Sequence, residues 1–106
     1  MHAVRIGASA ERDLLAGFEF YEIQAVGLGQ YFLDSLFSDI DALALHAGVH
    51  PKPLSSLHRS LSKRFPFAIY YDFDGATAIV LAVLDCRRNP RSIRGTLGAR
   101  RTPLKK

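Results

Sequence analysis

A chain of 106 residues and 11.7 kDa has room for one compact domain with a real core and little room for a second. Its composition, 48% apolar and 23% charged, excludes a disordered chain, and no apolar run approaches the ~18 residues a membrane-spanning helix requires. The net charge of +4 is unevenly placed. Residues 1–50 carry two basic and seven acidic side chains, a net of −5, and residues 51–106 carry twelve basic and three acidic, a net of +9, which points to a basic face for an anionic partner, nucleic acid or an acidic protein.

In chain order, Ala3 to Ile6 alternates apolar and polar and predicts an opening strand. Ser9 is placed to cap a helix, with Glu11 and Asp13 in the first turn where the helix dipole favours negative charge. Leu14, Phe18, Tyr21 and Ala25 recur on one helical face, and Gly27 and Gly29 end the run. A second helix follows, with Phe32, Leu36, Ile40, Leu43 and Ala47 as its stripe, Leu33 and Phe37 widening it, and Asp34, Asp39 and Asp41 on the wet side. Gly48, Pro51 and Pro53 stop it. The break between the helices is short enough to predict an antiparallel hairpin.

From Leu54 the period becomes two. Leu54–Leu61 reads as a half-buried strand, Phe65–Phe73 as the strongest strand in the chain, and Ala76–Cys86 as its partner. Asp74-Gly75 between them predicts a two-residue type I′ turn. That turn sets Phe73 opposite Ala76, and Phe65, Phe67, Ile69 and Tyr71 opposite Leu84, Ala82, Val80 and Ala78, all on the helix-facing side. The other face pairs Arg64 with Asp85, Tyr70 with Ile79 and Ala68 with Leu81, and is expected to be partly open or kept for a partner. Cys86, the one cysteine, is expected as a buried structural thiol on the core face. A lone cysteine makes neither an internal disulfide nor a cysteine-based zinc site. Glu11, Arg12 and Asp13 interrupt the stretch where an export signal needs its apolar run, so a cytoplasmic location is expected. Residues 95–106 are expected as a basic, flexible tail behind a single domain of residues 1–94.

The fold class expected from these elements is α+β: a helical hairpin packed on an antiparallel sheet in two layers, in the order β-α-α-β-β-β. Three segments in this order carry a resemblance. Gly27-Leu28-Gly29-Gln30-Tyr31-Phe32-Leu33-Asp34 resembles the inter-helix segment of the RelE/ParE superfamily of toxins. Arg64-Phe65-Pro66-Phe67-Ala68-Ile69-Tyr70-Tyr71 resembles its RFPY-x-hydrophobic-YY strand. Ile79 to Leu84 with Cys86-Arg87-Arg88-Asn89-Pro90 resembles its last strand and closing H-x-RR-D-P, with Asn89 where the family has Asp.

The resemblance implies the toxin half of a type II toxin–antitoxin, plasmid-stabilisation module. Such a toxin is bound by a cognate antitoxin in a hetero-oligomer, with no cofactor, no metal and no membrane partner. It is nearer the ParE-like branch, which inhibits DNA gyrase without a catalytic site. On that reading the clustered cations Arg64, Arg87, Arg88, Arg91 and Arg94 are the candidate target or partner contacts, the other readings of the last four being a solvated tail, phosphate contacts or anchors for an acidic antitoxin. The alternative is a RelE-like endoribonuclease that cuts mRNA on the ribosome, with His58 as base and Arg59, Arg64 and Arg87 around the phosphate. A third reading is a non-toxic relative that keeps only the antitoxin interface. RelE-like nucleases generally carry a Tyr or His near the C-terminus; here no Tyr follows Tyr71 and no His follows His58.

Overall fold

The computed structural model describes residues 1–101. Eight elements follow in the order β1 (Ala3–Ile6), α1 (Ala8–Gln24), α2 (Leu28–Asp41), α3 (Leu43–His46), β2 (His58–Leu61), β3 (Phe67–Phe73), β4 (Thr77–Asp85) and α4 (Pro90–Arg101). The four strands form one sheet in the order β1-β4-β3-β2. The α+β class and the helical hairpin stand as expected. The sheet is mixed rather than antiparallel: after the two-helix crossover, β1 lies beside β4 and runs parallel to it.

The hairpin packs on one sheet face. From α1 the buried residues are Ala10, Leu14, Gly17 and Tyr21, so the buried stripe lies slightly aside from the expected one: Phe18 is half-buried and Ala25 exposed. The stripe Phe32, Leu36, Ile40, Leu43 and Ala47 is buried throughout. Tyr21, Phe32, Phe65 and Phe67 join the two layers, with ring centroids 5.0–5.2 Å apart for the closest pairs. Ser9 does not cap α1. Gly7 holds that position in extended conformation, and its amide still donates to the Val80 carbonyl in the sheet, at 2.8 Å. The helix therefore starts where β1 pairing ends, before the Ser9 hydroxyl can serve.

Two details set the hairpin angle. Gly27 turns the chain at φ 89°, which L side chains rarely adopt. The Glu22 carboxylate then reaches across the turn and accepts the amides of Gly27 and Gly29, each at 2.9 Å, placing negative charge at the start of α2. Gly29 lies against α1 so closely that a Cβ would come within 2.6 Å of the Phe18 carbonyl oxygen.

The β3–β4 register departs from the expected one. Asp74 has no positive φ, so a type I′ turn does not form. Instead the Asp74 carboxylate accepts the amides of Ala76 and Thr77 at 2.9 and 2.8 Å, which widens the turn and sets Phe73 opposite Ala78. A bulge follows. Tyr71 pairs with Val80 and Tyr70 with Ala82, leaving Leu81 unpaired. The extra residue reverses the alternation of β4 beyond it. Ala78, Val80 and Val83 face the hairpin, while Leu81, Ala82 and Leu84 face the other way. Ala82 and Leu84 are therefore on the opposite face from the one expected. Asp85 lies opposite Phe67 rather than Arg64.

Two strands are shorter than expected. Residues 54–57 do not join β2 as strand, and the Arg59 amide of β2 donates to the Pro51 carbonyl at 2.8 Å. Phe65 stands outside β3 because the Phe67 amide turns back to the Phe65 carbonyl at 2.7 Å, around Pro66.

The second sheet face is covered, which the sequence reading did not expect. Residues 95–101, assigned there to a tail, are the latter part of α4; residues 102–106 lie outside the described residues. The helix starts cleanly. Asn89 accepts the Arg91 amide through its side chain at 2.8 Å and the Ile93 amide through its carbonyl at 3.1 Å, and Pro90 occupies the first helical position, where its missing N–H costs nothing. Ile93 and Leu97, 3% and 0% exposed, lie on Ala68, Tyr70, Leu81, Ala82 and Leu84, with Leu57 beside them.

Candidate functional site

The β2–β3 turn and the end of β4 lie at the same end of the sheet, joined by the Cys86 amide on the Pro66 carbonyl at 2.8 Å. This junction brings Arg64 to the same end as Arg87 and Arg88. Their surroundings differ. Arg64 is exposed beside Lys63 in a small cleft against α2. Arg87 is tied to Asp85 by a two-pronged pair, at 2.9 Å through Nε and 2.6 Å through Nη2, and stands near the Tyr21 hydroxyl. The Arg87 hydrogen bond holds the Asp85 carboxyl below its ordinary range, and Asp85 pushes the guanidinium further up. Arg87 thus stays charged and exposed, but as half of a pair whose net charge is near zero.

Arg88 turns onto α4 and donates to the hydroxyls of Ser92 and Thr96, at 3.0 and 3.3 Å. It also lines a cleft of about 250 Å³ between α1 and β4, over Phe20, Phe67, Val83 and Leu84. Arg91 and Arg94 are exposed on α4. Cys86 is exposed rather than buried, because β4 ends at Asp85 and the chain turns outward. Partial burial still pushes the thiol pKa up.

The four residues of the nuclease reading are not brought together. His58 and Arg59 are successive strand residues, so they point to opposite sheet faces. His58 stacks on Tyr71 on the hairpin side, with centroids 5.0 Å apart and planes at 19°. Arg59 pairs with Tyr70 on the α4 side, beside its hydroxyl. A base and a phosphate-binding cation on opposite faces cannot act on one phosphodiester.

The histidines are instead bound into the fold. The Tyr71 hydroxyl accepts the Gly48 amide at 2.9 Å, which leaves its own proton for His50 Nδ1, at 2.5 Å. His58 Nδ1 donates to the His50 carbonyl at 2.6 Å. Burial lowers the His50 pKa, and the nearby His58 and His46 lower it further. Burial raises Tyr71, although the Gly48 and His50 hydrogen bonds oppose the shift. The cluster pins the loop after α3 to the sheet. Burial likewise raises Tyr70, against the opposing pull of Arg59. Both tyrosines are core residues, 2% and 0% exposed.

A feature the sequence reading missed lies at the bulge. β1 pairs with β4 only as far as Val80, so the next stretch of β4 has an open edge. Asp13 from α1 accepts the Val83 amide at 2.9 Å. Arg100 from α4 donates to the Leu81 carbonyl at 3.1 Å and to both Asp13 oxygens, at 2.5 and 3.1 Å. Nothing in local pattern pairs residues 13 and 100.

Among the described residues no helix is long and apolar enough to cross a membrane. No protein-family model matches the sequence, and no curated protein matches it. Solved structures do match. One, titled "Chromosomal ParDE TA system from P. aeruginosa", contains a chain similar to this one with a TM-score of 0.67 at 16% identity, over 78% of this chain and 94% of that one. At that identity the likeness is one of fold, and it gives this chain the ParE-like fold that the motif resemblance implied.

Proposed function

We propose that this chain is the toxin half of a type II toxin–antitoxin pair, ParE-like and cytoplasmic, acting on DNA gyrase and neutralised by a cognate antitoxin. The observation that carries the reading is the fold likeness to a chain from a ParDE system, which coincides with three family-like segments in the same order along the sequence. The unassembled His58 and Arg59 favour the gyrase branch over the ribosomal nuclease. On this reading Arg64, Arg88, Arg91 and Arg94 supply the target contacts, with Arg87 muted by Asp85.

The antitoxin has fewer places to bind than the sequence suggested. Both sheet faces are covered, one by α1 and α2 and the other by α4. The outer surface of the hairpin remains, where Leu15, Phe20, Ile23, Val26 and Phe37 are exposed apolar residues. Induced expression tests the proposal: growth arrest with a DNA-damage response, relieved by the neighbouring open reading frame, is the expected result. Purified protein should inhibit gyrase supercoiling at micromolar excess. Arrest with discrete mRNA cuts and normal supercoiling would refute the gyrase assignment, and absence of arrest would refute the toxin assignment.

A further inference from the structure

The two sides of α4 differ sharply. The side toward the sheet is used by the fold: Ile93 and Leu97 are buried, and Arg100 is tied to Asp13. The outward side presents Arg91, Arg94, Gly95, Gly98 and Ala99, all exposed. Three observations set this outward side apart from ordinary surface. First, residues 86–101 hold six arginines and no acidic residue. The ion pairs among the described residues are Arg87–Asp85 and Arg100–Asp13, so no carboxylate pairs with Arg88, Arg91 or Arg94. Second, the side has no large apolar residue. Every exposed large hydrophobic among the described residues lies at Leu61 or before it. Third, Gly95 and Gly98 lie between the arginines and the end of the helix, and a Cβ at either would meet nothing. Neither has a positive φ. A helical glycine weakens its helix relative to alanine, and no packing among the described residues requires these two.

A polyanion complements such a face, and the groups the face lacks narrow the choice. A stable protein partner buries an apolar core within its interface, and this side offers none. A single-stranded nucleic acid stacks its bases on aromatic rings, and the chain has no aromatic residue after Phe73. A duplex needs neither, because it is held through its phosphates. The major groove of B-form DNA admits an α-helix, whereas that of A-form RNA is deep and narrow. The 12 residues of α4 make a helix about 18 Å long, long enough to lie across that groove. We propose that the outward side of α4 binds double-stranded DNA through its backbone, whatever the sequence. Arg91 and Arg94 meet phosphates at the groove edge. Arg88, whose Nη2 is held by Ser92 and Thr96, turns its remaining donors to a third. Gly95 and Gly98 let the helix backbone come close to the duplex. The inference goes beyond the toxin reading and stands without it, since neither gyrase nor an antitoxin enters its test. The two do not conflict, because gyrase itself works on duplex DNA.

The test is fluorescence anisotropy of a short labelled DNA duplex titrated with the full chain. Three phosphate contacts give a log–log salt slope of about −2.7, so binding in the micromolar range at about 50 mM salt should weaken about 40-fold at about 200 mM. Duplexes of unrelated sequence should bind equally well. The separated single strand and a duplex RNA should bind at least ~fivefold more weakly. Polyglutamate, standing in for an acidic protein, should not displace the duplex at equal charge. Arg91→Ala combined with Arg94→Ala should reduce the salt slope by about two and leave the melting temperature in place. Gly95→Ala combined with Gly98→Ala separates binding from folding. It should raise the melting temperature, because alanine suits a helix better, and weaken binding about tenfold, because the added Cβ atoms hold the helix off the groove. Equal affinity for single strand or duplex RNA, displacement by polyglutamate, an unchanged slope in the arginine variant, or undiminished binding by the glycine variant would each overturn the assignment, as would no binding of the duplex at the lower salt.

Discussion

Arg100 is the contact on which the placement of α4 depends, and removing it should loosen that helix before anything else. Asp13 and Arg100 are 14% and 22% exposed at the side chain, between the fully exposed pair worth ~0–1 kcal/mol and the buried pair whose disruption costs ~3–5 kcal/mol. Arg100→Ala leaves Asp13 with the Val83 amide and strands the Leu81 carbonyl, for a loss of about 2 kcal/mol. Asp13→Ala strands the Val83 amide and leaves the guanidinium without its counter-charge, on the Leu81 carbonyl alone, for a loss of about 3 kcal/mol. In the double variant the losses should fall short of their sum by about 1 kcal/mol, since the two side chains share one bond network. For a domain of this size, 2 kcal/mol corresponds to a drop of roughly 8–16 °C in melting temperature. Urea unfolding followed by circular dichroism gives the energies, and hydrogen exchange gives the location: amides of residues 93–100 should exchange faster in Arg100→Ala while β3 amides keep their protection. A stability change under 0.5 kcal/mol, with α4 exchange unchanged, would refute the claim that this pair clasps the helix to the sheet.

Gly29→Ala should cost about 2 kcal/mol or more in urea unfolding, because the new Cβ meets the Phe18 carbonyl, which is backbone and cannot swing away; Gly27→Ala, with open space around it but φ at 89°, should cost about 1 kcal/mol from backbone strain alone. The lowered His50 pKa means that the unfolded chain takes up its proton first on acidification, so stability should fall as pH drops below about 6.5, the ordinary histidine value. Thermal unfolding of the parent and of His50→Asn between pH 7.5 and 5 checks this, and an equal slope in both would refute it. Asp74 and Asp85 have lowered pKa values, so their contribution is present above the usual carboxylate range and is lost on going below it; Asp74→Ala should flatten the stability profile near pH 4. Arg94→Ala, at an exposed residue, should weaken growth arrest and leave the melting temperature within 2 °C; unchanged toxicity removes Arg94 from the target contacts.

The helical hairpin was legible because its signals are local and repeated. The stripe from Phe32 to Ala47 repeats with the helical period and is buried at every position. The existence and pairing of β3 and β4 were legible for the same reason, with a period of two on either side of a turn signal. Their register was not. Asp74-Gly75 suits a two-residue turn, but the Asp74 carboxylate recruits two further amides, and the bulge at Leu81 goes with contacts to residues 13 and 100 that no window of sequence contains. For the site, the sequence named arginines but not what neutralises them: Asp85 lies only two residues from Arg87, and periodicity had assigned it to Arg64. One signal was present and unread. Asn89-Pro90 is a helix start, a capping side chain followed by a residue suited to the first position, and the four arginines around it hid the spacing of Ile93 and Leu97.

The shortness of β1 and the presence of α4 are parts of one arrangement. A four-residue strand can satisfy the outer edge of β4 only to Val80, and β4 has nine residues. Unpaired amides and carbonyls in a central strand invite other strands or cost stability. The chain meets this with a bulge that exposes one amide and one carbonyl, an aspartate from α1 for the first and an arginine from the far end of α4 for the second. The same bulge turns Leu81 and Ala82 together onto the second face, which supplies the apolar floor on which Ile93 and Leu97 settle. Helix α4 is short and mostly polar, with two core anchors, and would be marginal in isolation; it holds because the edge that β1 leaves open gives its last turn a charged partner. Deleting Leu81 tests this coupling directly. If the bulge only adjusts twist, its deletion should leave α4 in place. If the arrangement is as described, β4 regains strict alternation, Asp13 and Arg100 lose their backbone partners, and the protection of α4 against hydrogen exchange should disappear while α1 and α2 remain folded.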